Sequence, residues 1–134
     1  MSKIDPRTNT VVATIAVDGE PVTVTVRGDD IWISCQLAPG LSVQRIDAKS
    51  NRVVAKTIVN AAGKVGGTVF VDGLLWVADR ATGLLWKIDP GTNAVVGQPI
   101  AVGSYPMIWG VGTNDNGTIW LSNSSDGTVT KVKP

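Results

Sequence analysis

Two short phrases recur along this chain at nearly fixed spacing, and that repetition limits the fold more than any single residue does. Ile4-Asp5-Pro6-Arg7-Thr8-Asn9-Thr10-Val11-Val12 returns 42 residues later as Ile46-Asp47-Ala48-Lys49-Ser50-Asn51-Arg52-Val53-Val54, and after the same step as Ile88-Asp89-Pro90-Gly91-Thr92-Asn93-Ala94-Val95-Val96. The second phrase is apolar-Trp-apolar-small. It stands at Ile31-Trp32-Ile33-Ser34, Leu75-Trp76-Val77-Ala78 and Ile119-Trp120-Leu121-Ser122, in steps of 44 residues.

Each repeat reads as four short strands joined by tight turns. In the first, Val22 to Val26 lies between Glu20-Pro21 and Gly28-Asp29-Asp30. Ile31 to Cys35 follows, then a turn over Leu37 to Gly40, then Ser42 to Ile46. The Asp-Pro-x-Thr-Asn turn leads into an outer strand, expected over Thr10 to Val17. Asp72-Gly73, Thr82-Gly83, Asn116-Gly117 and Asp126-Gly127 supply turn signals in the later repeats. Short strands with tight turns pair antiparallel, and no helical period competes. The expectation is an all-β fold, a β-propeller with three four-stranded antiparallel blades in a single domain 1–134 (repeats approximately 4–45, 46–87 and 88–131). Runs such as Leu74 to Ala78 are apolar on both faces, as a sheet covered by neighbours on each side requires. On that reading Trp32, Trp76 and Trp120 are packing between blades.

The Ile-Asp-Pro-x-Thr-Asn-x-Val-Val phrase, followed by a Pro near a β-branched strand and then apolar-Trp-Val-Ala, resembles the repeat of YVTN-type β-propellers. It is similar to streptogramin-lyase-like propellers as well. The resemblance spans essentially the whole chain and implies the fold; function on such scaffolds varies. Lyases of that kind are expected to use a histidine, and this chain has none, so their activity is not carried over.

The phase of the repeat sets the assembly expected. Ser2 to Pro6 corresponds to the end of a third strand, and Thr130 to Pro134 corresponds to Leu85 to Pro90. The outer strand, Thr10 to Val17, is then expected to lack the three inner strands it should pair with, and the three inner strands over Met107 to Val132 to lack an outer one. Propellers have about four to eight blades, so two copies give a six-bladed ring and three copies exceed it. The expected partner is a second copy in a two-fold, head-to-tail ring with the outer strand exchanged. A fragment or an engineered half of a longer propeller would need a partner just as much.

Composition narrows the chemistry. A formal charge of +1 gives no pull toward nucleic acid or anionic membrane. The apolar runs are too short to span a bilayer as a helix, and Asp5, Pro6 and Arg7 stand where a signal peptide would be apolar, which leaves a cytoplasmic location as the default. The single Cys35 makes no intrachain disulfide. Without histidine, Ser-His-Asp and Cys-His nucleophiles and ordinary His-containing zinc sites drop out. No catalytic residue, metal or cofactor is expected.

Asp5, Asp47 and Asp89, with Asn9, Asn51 and Asn93, sit at fixed turn positions and read as turn formers rather than calcium ligands. Asn114 to Gly117 and Ser124 to Gly127 read as hairpin turns, since neither has EF-hand spacing. Lys3, Arg45, Lys87 and Lys131 precede the repeated turn motif. The first three each have an Asp two residues on along the same strand face, so local ion pairing or solvated stems are expected there, with an anion-binding ring as the alternative. The nonrepeating residues fall on the rim made by the fourth-to-first connections and the second-to-third turns. Glu20, Gln36, Lys64, Asp79, Arg80, Tyr105 and Ser124 are the candidate contacts there for a small-molecule or peptide ligand, beside Cys35 and Asn123, with Met107 and Trp109 read as core filling and, as the alternative, an aromatic wall. A noncatalytic binding or scaffolding module is the leading expectation. The alternatives are a lyase or hydrolase using Glu20, Asp79 or a bound metal, and a purely structural half-propeller.

Overall fold

The computed structural model describes residues 1–103, 108–113 and 116–134, with the backbone alone for 108–110. It contains strands and turns, and no helix among the described residues is long and apolar enough to cross a membrane.

Among the described residues, fourteen strands form three antiparallel sheets and a hairpin. The hairpin is β1 (Ser2–Asp5) with β2 (Thr10–Thr14). Sheet one runs β3 (Glu20–Arg27), β4 (Asp30–Leu37), β5 (Gly40–Asp47), β6 (Arg52–Asn60) in both sequence and space. Sheet two repeats the plan with β7 (Val65–Val71), β8 (Leu74–Asp79) and β9 (Leu84–Asp89). Its outer strand is split into β10 (Ala94–Val95) and β11 (Ile100–Ala101), which both pair with β9. Gly97 at φ +65° and Pro99, which has no amide hydrogen, lie in the gap. Sheet three is β12 (Ile108–Thr113), β13 (Ile119–Asn123) and β14 (Thr128–Val132).

The sheets stack face to face. Between sheets one and two lie Trp32, Leu41, Val43, Leu75, Val77 and Ile88, all buried. Trp76, Ala78, Leu85, Ile119 and Leu121 fill the next layer. The inner strands β3, β7 and β12 approach one another at the stack's inner edge. Thr25 Oγ1 lies 2.5 Å from Thr68 Oγ1 across the first joint. Gly67 makes room at the second, because a Cβ there would stand 2.9 Å from the amide nitrogen of Val111.

The β1–β2 hairpin corrects one expectation. The outer strand was to lack all of its inner partners, but β2 pairs with β1 of its own chain, and it ends at Thr14 rather than Val17. The pairs Lys3↔Ala13, Ile4↔Val11 and Asp5↔Thr10 repeat Arg45↔Ala55, Ile46↔Val53 and Asp47↔Arg52, with the register shift at the same point. The hairpin therefore has the geometry of β5–β6. Met1, Ile15 and Val17 from its side pack on Ile33, Cys35 and Ile46 of sheet one.

Candidate functional site

Strand direction puts two kinds of turn at opposite ends of the stack. The end called lower here carries the first-to-second and third-to-fourth strand turns; the upper end carries β4–β5, β8–β9 and the β6–β7 connection.

At the lower end the Asp-Pro-x-Thr-Asn phrase is a turn, as its residues suggest. Asp5, Asp47 and Asp89 accept backbone amides two or three residues on, at 2.6 to 2.9 Å. Asn9, Asn51 and Asn93 hold φ of +54°, +55° and +55°, a region that asparagine enters more readily than most residues. Hydrogen bonds from Ser50 hold the Asp47 carboxyl below the usual range. At the upper end, the β13–β14 turn is capped in a similar way, the Asp126 carboxylate accepting the Thr128 amide and hydroxyl. Asn114 and Asp115 lie outside the described residues.

The basic residues before these turns do not take the Asp two positions on. Arg45 makes two bonds to Asp30, at 2.8 and 2.6 Å, which push its already high pKa further up. It then crosses to sheet two, donating to the Pro90 carbonyl at 3.0 Å and the Asn93 side-chain oxygen at 3.4 Å. Lys3 does the same one step earlier, donating to the Ala48 carbonyl at 2.9 Å and Asn51 Oδ1 at 3.2 Å. Arg45, Lys87 and Lys131 lie over the rings of Trp32, Trp76 and Trp120, 5.3 to 5.5 Å from the centroids. Trp32 and Trp76 are packed between sheets as expected, whereas Trp120 is 42% exposed in the single chain.

The upper end brings several expected residues together around the β6–β7 connection. Gln36 Nε2 donates to the carbonyls of Leu37, Gly40 and Gly63, and its Oε1 accepts the Val65 amide at 3.0 Å. Asp79 is buried, and its carboxylate accepts from Lys64 N at 2.9 Å, Ala81 N at 2.9 Å and Asn60 Nδ2 at 2.7 Å. Gly63 fits because a Cβ there would lie 2.7 Å from Asp79 Oδ2. Arg80 joins through its backbone, donating to the Lys64 carbonyl at 3.0 Å. Glu20 stands exposed opposite Gln36 in the β3–β4 register. Lys64 and Ser124 are exposed too, Ser124 in the β13–β14 turn at the upper end of sheet three. Tyr105 and Met107 lie outside the described residues, as does the side chain of Trp109.

A smaller upper contact joins the hairpin to sheet one. Gln44 and the backbone of Asp18 exchange two hydrogen bonds, at 3.0 and 2.7 Å. Lys56 pairs with the Asp18 carboxylate and holds its pKa below the usual range. Beneath them Cys35 is buried, and desolvation, with Asp18 nearby, pushes its thiol pKa up. That environment makes an inert thiol.

A groove of about 490 Å³ opens at the lower end between sheets one and two, lined by Arg27, Gly28, Asp29, Asp30, Trp32, Pro90 and Gly91. None of the described candidate contacts named from the sequence lines it. Variation between repeats points to the upper end, whereas the groove comes from the spacing of repeated turns.

The stacking of four-stranded antiparallel sheets about their first strands has parallels among solved structures. BamB from Moraxella catarrhalis matches 96% of this chain with a TM-score of 0.70 and 15% identity. Hydrazine synthase from Kuenenia stuttgartiensis matches 96% with a TM-score of 0.74 and 16% identity. The fold is that of a β-propeller. The chain spans 35% and 42% of those two propeller chains. No protein-family model matches it, and no curated protein does.

Proposed function

We propose that the chain is a noncatalytic β-propeller module whose three sheets are blades, and that it closes a six-bladed ring with a second copy to form a binding or scaffolding platform. One observation carries the reading: the two outward faces repeat faces that are mated inside the chain. Trp120 and Val129 are 42% and 64% exposed, whereas their counterparts Trp32, Trp76, Val43 and Leu85 are at most 3% exposed. On the other side Val22, Val24 and Val26 of β3 are 47%, 59% and 63% exposed, because the hairpin covers β4 and β5 and stops short of β3. Val26 occupies the place of Phe70, which packs edge-on against Trp32 with centroids 5.9 Å apart. Trp120 of one copy against Val26 of the next would rebuild that contact.

The size is adequate. A blade face of four strands is roughly 300 Å², so the four faces brought together in a two-copy ring amount to about 1,200 Å², counting the part that the hairpin already covers, near the lower end of stable interfaces. The noncatalytic part rests on Asp79, whose carboxylate is enclosed and occupied by three donors, a holding role rather than an acid–base one. Ligand contact falls to the exposed upper-end residues Glu20, Lys64 and Ser124. A second reading places a small ligand in the lower groove, favoured by its volume, which lies within the usual range for such sites. Light scattering decides the assembly: twice the 14.0 kDa chain mass is expected, and a stable monomer overturns it.

A further inference from the structure

Closing such a ring raises a conflict that the register of the hairpin makes visible. β1 repeats β5, and β14 repeats β5 and β9, so both hold the third place in a blade. At each joint between copies, β14 of one and β1 of the next would claim the same edge of β2.

We propose that β14 wins: it replaces β1 on the edge of β2 in the neighbouring copy, and β1 is released. This rests on the ring reading above. The anchoring of the two strands decides it. β14 pairs with β13 at five positions, Val132 packs into the layer between sheets two and three, and Thr130 donates to the Val102 carbonyl at 3.0 Å. Asn123 adds bonds to the Thr128 and Thr130 hydroxyls at 3.2 and 2.9 Å. Among the described residues β1 pairs only with β2, and Ile4 on it is 60% exposed.

Everything β1 supplies has a counterpart on β14. Transferring the β5–β6 register puts Val129 opposite Ile15, Thr130 opposite Thr14, Lys131 opposite Ala13 and Lys133 opposite Thr10. Lys131 then stands where Lys3 stands, within the place from which Lys3 reaches the Ala48 carbonyl and Asn51. Val129 takes the place of Met1, which now exchanges bonds with Ile15. The exchange keeps the lower joint and adds the apolar contact of Trp120, so the second copy is favoured over the strand already present.

A double variant, Thr10→Cys with Lys133→Cys, tests it under mild oxidation; both positions are exposed, whereas the native Cys35 is buried. The expected result is a dimer cross-linked between chains. A dimer of the right mass that never cross-links overturns the exchange and leaves the ring standing, while a monomer overturns both. Dissociation constants of two alanine variants give an independent reading. Lys131→Ala should weaken the dimer roughly tenfold, the loss of a charge-assisted bond, and Lys3→Ala should tighten it by loosening the competing strand. Equal weakening by both overturns the proposal.

Discussion

The lower and upper joints between sheets one and two do the same job by different means. At the lower end a repeated unit is used: a basic residue reaches a carbonyl and an asparagine on the next turn, once from Lys3 and once from Arg45. At the upper end Gln36 and Asp79 make a clamp found at this joint alone among those described; their counterparts are Arg80 and Ser124 on one side, Cys35 and Asn123 on the other. The repeated joint is partly open to water, with the Arg45 and Asp30 side chains 26% and 29% exposed, whereas the clamp encloses a carboxylate. The difference teaches where stability is concentrated. Repetition sets the stack's geometry, and single buried polar groups fix individual joints.

If that is right, breaking the clamp costs more than breaking a repeated joint. Asp79→Ala strands two backbone amides and the Asn60 amide in a buried site, and should cost about 3–4 kcal/mol by urea unfolding. Asp79→Asn keeps an acceptor for Lys64 N and Ala81 N and should recover at least half of that. Equal losses in the two variants would mean that charge, rather than satisfaction of the amides, is what matters. Gly63→Ala comes next, at about 2 kcal/mol, since its methyl would press on the same carboxylate. A neutral result there would show the β6–β7 connection free to move away.

What could be read from the residues divides along the same line. The strands, the Asp–Asn turns and the packing of Trp32 and Trp76 follow from periodicity and turn chemistry, which act over a few residues. The partners of Arg45 were misread because strand alternation brings Asp47 close on paper, while the stack brings Asp30 from β4 and Asn93 from the next sheet. Gln36 and Asp79 were picked out for their variation between repeats. That signal cannot separate a residue that holds a loop from one that meets a ligand; only the distances to Gly63 and Lys64 do. Asn60 had no signal of its own. The lower groove had none either, since it is a gap between turns rather than a set of distinctive side chains.

At the repeated joint, Arg45→Ala should cost about 1–2 kcal/mol, from two charge-assisted bonds to Asp30 and two to sheet two. Arg45→Lys should retain the crossing to Pro90 and lose the paired contact with Asp30. In the single chain, where β1 is in place, Lys3→Ala should cost less, about 0.5–1 kcal/mol, because Lys3 makes two bonds to sheet one where Arg45 makes four. A Lys3→Ala cost above that of Arg45→Ala would place the hairpin, and not the joint between sheets one and two, at the head of the order.

The smallest effect is expected at the hairpin's upper contact, and acid is the way to reach it. Asp18 and Asp47 both have folded-state pKa values below the ordinary one, through Lys56 and Ser50 respectively. Their contribution is therefore full above the unfolded aspartate pKa of about 4 and is lost as pH falls through the lower folded values. Melting temperature should hold steady from neutral pH to about 4 and then decline. Asp18→Asn should flatten only part of that decline, and less so in high salt, because the Asp18–Lys56 pair is exposed. The Cys35 thiol beneath it supplies a second readout that does not depend on melting. Its alkylation should be slow in the native protein, and Ile15→Ala, which thins the cover over it, should speed the reaction several-fold. If Ile15→Ala leaves the thiol as protected as before, then sheet one alone shields Cys35 and the hairpin is a looser attachment than its register implies.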